Sequence, residues 1–508
     1  MSASTLPAGL LLVAASALGL RLLPAARADA RPWVEVLLAC GAGLGLAGVG
    51  GLWTSAFFLP EAPGVISTPD FAEYCGSVAH YIHGEWWRWS SNRSTLAGGP
   101  AILLSPWLGV VDGLLVGALV GQFLTGAGLY LWGRAIHSRA AGLAAALLAA
   151  TVVPLAVLGR TLTYYPVLVG FLTLGTGLVA VAWRWPRPPT FLLGGAGVAL
   201  CLLVDPRGLL WGLSLGGMLL LAVLVQAIDR NWKRGLSRLA LGLAAVGLPV
   251  WLAWAEADRA YLPQTTTLEE LGDPTKGWET HVRVLSDPNV PMTAERGYIW
   301  GRSSLWNVPD TLRFLHAQSQ RVPDEIRHSA LTQRGKEAWL EPYLGWVAAS
   351  GVVAAIGLWR HPARLLLLLG TCVPFVAVLR GAVDMRFANL RFLGNGMVFI
   401  PLLIGVGLAV LAGTGRTGRS RLPWRLPAAV LLVLATVLGT LPTDLSPSAL
   451  WRDPLPANLG NTVREHLNDA GDGRMWPRCQ VQMNQDRAKG QPTWLKRLPP
   501  AGDSTSAD

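Results

Sequence analysis

The sequence predicts an all-α integral membrane protein with about twelve transmembrane helices. Hydrophobic residues make up 52% of the 508-residue chain and charged residues only 14%, whereas about a quarter of the residues in a soluble domain are charged. Apolar runs close to the length that crosses a bilayer, about 20 residues, recur along the chain. Arginines fall in every second loop between these runs, as the positive-inside rule requires of a multi-span protein.

Twelve apolar runs are candidates for membrane spans. In chain order they are Leu6–Leu23, Trp33–Leu59, Leu108–Trp132, Ala140–Leu158, Thr163–Trp183, Thr190–Val204, Gly208–Ile228, Leu236–Trp254, Tyr343–Trp359, Leu365–Leu379, Gly396–Leu411 and Leu426–Leu441. The first run lacks a basic region before it and a clear cleavage site after it, so we expect a retained span and not a signal peptide. No repeat of fixed period is visible, which argues against a transporter built from paired halves.

The positive charges in alternate loops orient the chain. The positive-inside rule assigns these loops to the cytoplasm and the remaining loops to the outside. The predicted regions are an N-terminal transmembrane module (1–254) with a catalytic extracytoplasmic loop (60–106), an extracytoplasmic loop domain (255–342), a C-terminal transmembrane module (343–442) and an extracytoplasmic tail (443–508). The net charge of +11 is spread over many short loops, so it indicates topology and contact with membrane lipids, and no nucleic-acid partner.

Chemistry is expected in the first extracytoplasmic loop, where acids, histidines and aromatic residues gather between apolar runs. Helical spacing puts Asp70, Glu73 and Tyr74 on one side of a short helix. Two carboxylates there can supply a general base or hold a divalent cation, Mg²⁺ or Mn²⁺. The alternative is that these acids only favour the positive N-terminus of that helix. His80 and His83 can join a metal site or lie as interfacial residues beside the tryptophans.

The spacing of Asp70, Tyr74, Ala79 and Gly84 in this loop resembles that of membrane-embedded glycosyltransferases with a GT-C fold. The similar group depends on polyprenyl-phosphate sugars and includes protein mannosyltransferases and the aminoarabinose transferases of lipid A. The likeness covers about two thirds of the chain. It continues through Trp132-Gly-Arg134, the alanine-rich run from Ala140, Pro154 and Arg160, and more weakly through Asp205-Pro-Arg207-Gly208 and Leu390-Arg391-Phe392.

Two positions depart from that family pattern. Many members carry adjacent Asp and Glu where this chain has Asp70 and Phe71, and the next acid here is Glu73. Many also carry a second Asp shortly after the arginine matched by Arg160, where this chain has Thr163. The dependence on a metal and the activity itself are therefore open at this point.

The resemblance implies an inverting enzyme of a bacterial-type inner (plasma) membrane. It would transfer a sugar from a polyprenyl-phosphate donor to a lipid, glycan or protein acceptor at the extracytoplasmic face. Asp70 would be the catalytic base, with Glu73 as the second catalytic carboxylate. Arginine suits bidentate contact with phosphate. Substrate contacts are expected from Tyr74, His80, His83, Arg93, Arg160, Arg207, Arg386 and Arg391.

Two other classes of function stay open from the sequence. A transporter or flippase for a lipid-linked sugar would place charges near the bilayer midplane, and its nearest candidates, Asp112 and Arg380, lie close to the ends of apolar runs. A non-catalytic lipid-binding scaffold with the same fold is the other alternative. Cys75 and Cys479 share the predicted outer compartment, where a disulfide between them is a further hypothesis.

Overall fold

The computed structural model describes residues 32–58, 78, 81–82, 95–152, 155, 158–159, 163–205, 208–228, 231–260, 345–384, 394 and 396–412. Within these ranges the regular structure consists of eleven longer helices, with no strand. The helices are α1 (Pro32–Phe58), α2 (Gly99–Leu108), α3 (Val110–Ile136), α4 (Arg139–Ala149), α5 (Tyr165–Arg184), α6 (Pro188–Val204), α7 (Gly208–Ala227), α8 (Trp232–Ala260), α9 (Gly345–Leu358), α10 (Pro362–Asp384) and α11 (Phe399–Leu411).

Five segments of the described chain are long and apolar enough to cross a membrane. They lie in α3, α5, α7, α8 and α10. Each of the ten predicted spans that fall among the described residues contains a helix, and the first and last predicted spans lie outside them. The all-helical membrane architecture is confirmed for this part of the chain, while the count of twelve spans and the extracytoplasmic loop domain stay predictions.

Two exposed tryptophans on α8 are spaced as residues at the two surfaces of a membrane would be. Trp232 is 67% exposed and Trp251 is 64% exposed. At 1.5 Å of rise per residue, the nineteen steps from Trp232 to Trp251 cover about 29 Å. This length matches a hydrocarbon core of about 30 Å, and tryptophan is enriched at the level of the headgroups.

Helix α4 ends earlier than the sequence pattern predicts. The predicted span runs to Leu158, whereas α4 ends at Ala149 and is followed by turns at residues 150–152. Ser138 caps the start of α4 by accepting a hydrogen bond from the backbone N–H of Ala141 at 3.3 Å. The end has a chemical cause in Pro154, because proline disfavours helical conformation in the residue before it.

Helix α2 is a short apolar helix within the predicted loop 60–106. It folds back along the first half of α3, and the turn between them is at Gly109, whose φ of 89° favours glycine. A Cβ atom added to Gly113 would overlap the hydroxyl of Ser105, so the two helices approach closely at that point. A ten-residue apolar run is too short to span a bilayer, and such runs form buried or interfacial helices instead.

Helix α5 lies at the centre of the bundle. All its residues from Tyr165 to Ala182 are buried. Glycines allow its backbone to approach its neighbours: a Cβ on Gly170 would lie 2.6 Å from the Gly121 carbonyl oxygen, and one on Gly175 would lie 2.5 Å from that of Gly197. Small residues permit this contact because helices in lipid associate through close packing. Helices α3, α5 and α6 therefore form a tightly packed core.

The loops that carry the arginines meet at one end of the bundle. The indole N–H of Trp183, on α5, donates to the carbonyl oxygen of Ala363, on α10, at 2.9 Å. The side-chain amide of Gln226, on α7, donates to the carbonyl oxygen of Pro186. We call this end, formed by residues 134–139, 184–188, 226–228, 231–232 and 360–364, the basic end. The positive-inside rule assigns it to the cytoplasm.

Candidate functional site

The site residues predicted from the sequence lie outside the described residues. They are Asp70, Glu73, Tyr74, His80, His83, Arg93, Arg160, Arg207, Arg386 and Arg391. Cys75 and Cys479 also lie outside. The roles given to these residues stay predictions, and the geometry below concerns their described neighbours in the chain.

The predicted first extracytoplasmic loop contains residues that pack against the helical core. Val78 is completely buried, and Tyr81 and Ile82 are partly buried against the core. Burial raises the pKa of the Tyr81 phenol, because the phenolate would lose hydration. Tyr81 is therefore a neutral hydroxyl near pH 7. Val78, Tyr81 and Ile82 lie a few residues after the two predicted catalytic carboxylates in the sequence.

Asp205 is a completely buried acid at the C-terminus of α6. Its backbone is extended, and its carbonyl oxygen accepts a hydrogen bond from the N–H of Gly208 at 2.8 Å, which closes the turn into α7. Burying a carboxylate is costly unless it is paired. The sequence analysis noted Asp205 only as part of a weak family echo, and its burial makes it a stronger candidate. This turn lies at the end of α6 and α7 away from the basic end.

Gln122 ties α3 to the segment that precedes Arg160 in the sequence. It is 3% exposed, and its side-chain Nε2 donates to the carbonyl oxygen of Leu155 at 2.5 Å. Its Oε1 is buried and has no hydrogen-bond partner among the residues that the structure describes. Leaving a buried amide oxygen unpaired costs about 1–3 kcal/mol. This acceptor is therefore able to bind a donor that enters the site.

The start of α5 packs directly against Gln122's helix. The hydroxyl of Thr163 accepts a hydrogen bond from the N–H of Tyr165 at 3.3 Å, and both side chains are buried. A Cβ atom added to Gly121 would overlap the backbone of Pro166. The segments before and after Arg160 in the sequence are thus held against the same half of α3. Sequence reasoning missed Gln122, although a lone amide in a long apolar run is a visible signal.

A metal centre is not found in the part of the chain that the structure describes. There, no three His, Cys, Asp or Glu side chains come together in an arrangement able to hold a metal ion. The predicted cation ligands, Asp70 and Glu73, lie outside this part. The Mg²⁺ or Mn²⁺ prediction is therefore untested.

A second polar cluster, at the basic end, is centred on Glu35. Its carboxylate accepts hydrogen bonds from the Tyr130 hydroxyl at 2.6 Å, from Arg139 Nε at 2.9 Å and from Arg134 Nε at 3.3 Å. Arg139 Nη2 also lies 2.8 Å from it. The sequence analysis treated the two arginines only as loop charges and did not single out Glu35. Glu35 could have been found from the sequence, because it is a single acid at the start of an apolar helix.

Trp185 and His137 border this cluster. The guanidinium carbons of Arg134 and Arg184 lie 5.2 Å and 5.7 Å from the centre of the Trp185 ring. Burial, together with the positive charge of Arg364 and the nearby His361, lowers the pKa of His137 to about 4. His137 is therefore neutral near pH 7 and adds no charge to the cluster.

Comparison with known proteins gives matches at the level of structure alone. No protein-family model matches the chain, and no curated protein matches it in sequence. The archaeal oligosaccharyltransferase AglB from Archaeoglobus fulgidus, solved with an inhibitory peptide and a dolichol-phosphate, superposes with a TM-score of 0.52. The two are 14% identical, and the match covers 82% of this chain and 56% of AglB.

The expected GT-C-like fold is confirmed. A second structure of the Archaeoglobus fulgidus oligosaccharyltransferase, tethered to an acceptor peptide with the NVT sequon, matches with a TM-score of 0.51 at 13% identity. That match covers 80% of this chain and 54% of the other protein. The chain thus spans little more than half the length of these transferases. At this low identity the likeness concerns the fold, and residue roles have to come from this chain.

Proposed function

We propose that this protein is a membrane glycosyltransferase that transfers a sugar from a polyprenyl-phosphate donor to an acceptor at the extracytoplasmic face. The observation that carries the proposal is the GT-C-like fold, which it shares with a transferase solved with a dolichol-phosphate and a peptide. A bacterial-type inner membrane is the proposed location. A peptide is the first acceptor to test, and lipid and glycan acceptors follow.

The proposed reaction is a single displacement at the anomeric carbon. Asp70 takes the proton from the acceptor hydroxyl or amine as the new bond to the sugar forms, with Glu73 as the alternative base. The bond between the sugar and the phosphate oxygen breaks, and the polyprenyl phosphate leaves. One displacement inverts the anomeric configuration.

The leaving phosphate gains negative charge as that bond breaks, so cations placed at the phosphate accelerate the step. Arg160 and Arg207 are the proposed phosphate ligands nearest in sequence to the described polar residues, and Arg386 and Arg391 are the others. Arginine can bind a phosphate through two parallel hydrogen bonds. Tyr74, His80, His83 and Arg93 are proposed to line the sugar and acceptor. A divalent cation on Asp70 and Glu73 would neutralise charge on the phosphate.

Two buried polar residues support the proposal that the phosphate binds near Arg160 and Arg207. Among the described residues, Asp205 and Gln122 supply the buried acid and the buried amide, and the other buried polar side chains are threonines and serines. Asp205 lies two positions before the proposed phosphate ligand Arg207. Gln122 is hydrogen-bonded to Leu155, which lies five positions before the proposed phosphate ligand Arg160. Buried polar groups in a membrane protein are costly and mark functional sites more often than structural ones.

The test is transfer by the purified protein in lipid vesicles. The donor is a polyprenyl phosphate carrying a radiolabelled sugar, and peptide, lipid and glycan acceptors are offered in parallel. We expect labelled acceptor that depends on the protein. If label moves across the bilayer on its intact donor and no acceptor becomes labelled, the protein is a transporter and the transferase proposal is wrong. If the protein only retains the donor, the scaffold alternative is correct.

A further inference from the structure

The described residues at the basic end include more arginines than carboxylates. Arg134 and Arg139 bind the carboxylate of Glu35, and the guanidinium groups of Arg184 and Arg364 lie close enough to Arg134 to feel its charge. Among the described residues, Arg184 and Arg364 have no acidic partner.

The arginines of this cluster repel one another. Arg184 experiences the positive charges of both Arg364 and Arg134, and Arg364 experiences that of Arg134. All three are partly buried, so water screens this repulsion incompletely. His137, which adjoins Arg364 and His361, is neutral near pH 7 and therefore does not offset these positive charges. An anion bound among these groups would relieve the repulsion.

The arginines also have unused hydrogen-bond donors. A guanidinium has five N–H groups. Arg134 gives only its Nε–H to Glu35, while its guanidinium stays 5.2 Å from the Trp185 ring centre. The guanidinium carbon of Arg184 lies 5.7 Å from the centre of the same ring, and Arg184 donates no hydrogen bond to the described residues. One indole therefore holds two guanidiniums whose terminal N–H groups are available to an acceptor.

The tryptophans near the cluster indicate that it lies at the level of the lipid headgroups, and this level favours a lipid headgroup as the anion. Exposed tryptophans occur at the same end of the bundle: Trp33 at the start of α1, Trp232 at the start of α8 and Trp359 just after α9. Tryptophan concentrates at headgroup depth, and Trp232 marks one edge of the hydrophobic length on α8. Basic pockets between transmembrane helices on the cytoplasmic side bind the headgroups of acidic lipids.

We propose that Arg134, Arg184 and Arg364, beside Trp185, form a binding site for the phosphate diester of an anionic phospholipid headgroup. The phosphate lies between the guanidiniums of α3, α5 and α10 and accepts their free N–H groups. The acyl chains lie along the exposed apolar side chains of α10, among them Leu366. This site is at the end of the bundle opposite to the proposed transferase site and does not depend on that function.

The test measures retained lipid by native mass spectrometry. The wild-type protein is titrated in detergent with phosphatidylglycerol and, separately, with the zwitterionic phosphatidylcholine. We expect one tightly held phosphatidylglycerol and no equivalent phosphatidylcholine. The double variant Arg184→Gln/Arg364→Gln should bind this lipid at least about tenfold more weakly, because each charge-assisted hydrogen bond to a phosphate contributes more than a neutral one.

The matched control is Lys233→Gln/Arg234→Gln, which removes two exposed positive charges at the same end. It should bind phosphatidylglycerol as the wild type does. If both double variants bind phosphatidylglycerol equally weakly, general surface charge attracts the lipid, and the site proposal is wrong. Equal binding of the two lipids by the wild type would also overturn it, whether or not the double variant folds.

Soluble glycerol 3-phosphate separates a lipid from a free phosphate. We expect phosphatidylglycerol to raise the melting temperature of the wild type and glycerol 3-phosphate at equal concentration to leave it unchanged. If the soluble phosphate stabilises the protein as strongly as the lipid, the ligand is a free anion and the assignment to a lipid fails. The single variant Arg364→Gln serves in place of the double variant if the latter aggregates.

Discussion

Replacing Glu35 by Gln should destabilise the bundle measurably, because this carboxylate joins three helices. It lies on α1, while its donors Tyr130 and Arg134 lie on α3 and Arg139 lies on α4. The substitution keeps the size of the side chain and removes its charge. Arg134 and Arg139 would then lose the charged carboxylate that both of them bind.

The magnitude follows from the contacts. Hydrogen bonds to a charged group contribute about 1.5–3 kcal/mol each when well formed. Here the shortest bonds come from Tyr130 and Arg139, at 2.6 Å and 2.8 Å. The side chain of Arg139 is 36% exposed and that of Arg134 is 23% exposed, so solvent screening reduces their share. An amide retains part of each bond, which leaves an expected loss of about 2–3 kcal/mol in the free energy of unfolding.

The assay measures the free energy of reversible unfolding in a mixed detergent, together with the melting temperature. It compares the wild type, Glu35→Gln, Tyr130→Phe and the double variant. The cycle should give a coupling energy of about 1 kcal/mol between Glu35 and Tyr130, since they share one hydrogen bond. If Glu35→Gln changes stability by less than about 0.5 kcal/mol, the range of an ordinary surface substitution, the carboxylate does not hold these helices together.

Three further predictions concern packing, pH and topology. Gly121→Val should lose about 1–3 kcal/mol or more through overlap with the backbone of α5, whereas Gly216→Val, with nothing within 4 Å of its added Cβ, should melt like the wild type; equal losses would contradict the packing. Because His137 has a pKa of about 4 when folded and about 6.5 when unfolded, stability should be full above pH 6.5 and fall toward pH 4, and His137→Gln should flatten that slope in a melting series. Single cysteines in a cysteine-free background should label from outside intact cells at Ser448 and not at Gly235; the reverse pattern would invert the topology.

The membrane helices were predictable because apolar length and alternating charge decide them. Each predicted span among the described residues contains a helix, and the arginine loops meet at one end as the charge pattern required. Helix α2 was not predicted, because a short apolar run carries no span signal. The true end of α4 at Ala149 was missed because hydropathy continues past the turn that ends the helix.

The polar contacts were less predictable than the helices. Glu35 and Gln122 are single polar residues in apolar runs, and the sequence does not tell which partner they meet across more than thirty positions. Their partners depend on helix packing, which glycines such as Gly121 and Gly170 set through close backbone contact. The predicted catalytic residues lie outside the described ranges, so Asp70 and Glu73 remain assignments from the sequence and its resemblance.

The most direct test of the central claim is the rate of sugar transfer by Asp70→Asn in the vesicle assay. Asparagine keeps the size and polarity of the side chain and cannot accept the proton, so transfer should fall by about 10²- to 10⁴-fold while the donor lipid is still retained. Asp229→Asn, in a predicted cytoplasmic loop, is the matched control and should transfer at the wild-type rate. A wild-type rate in Asp70→Asn would move the role to Glu73. If the double variant Asp70→Asn/Glu73→Gln also transfers sugar normally, the proposed mechanism is contradicted.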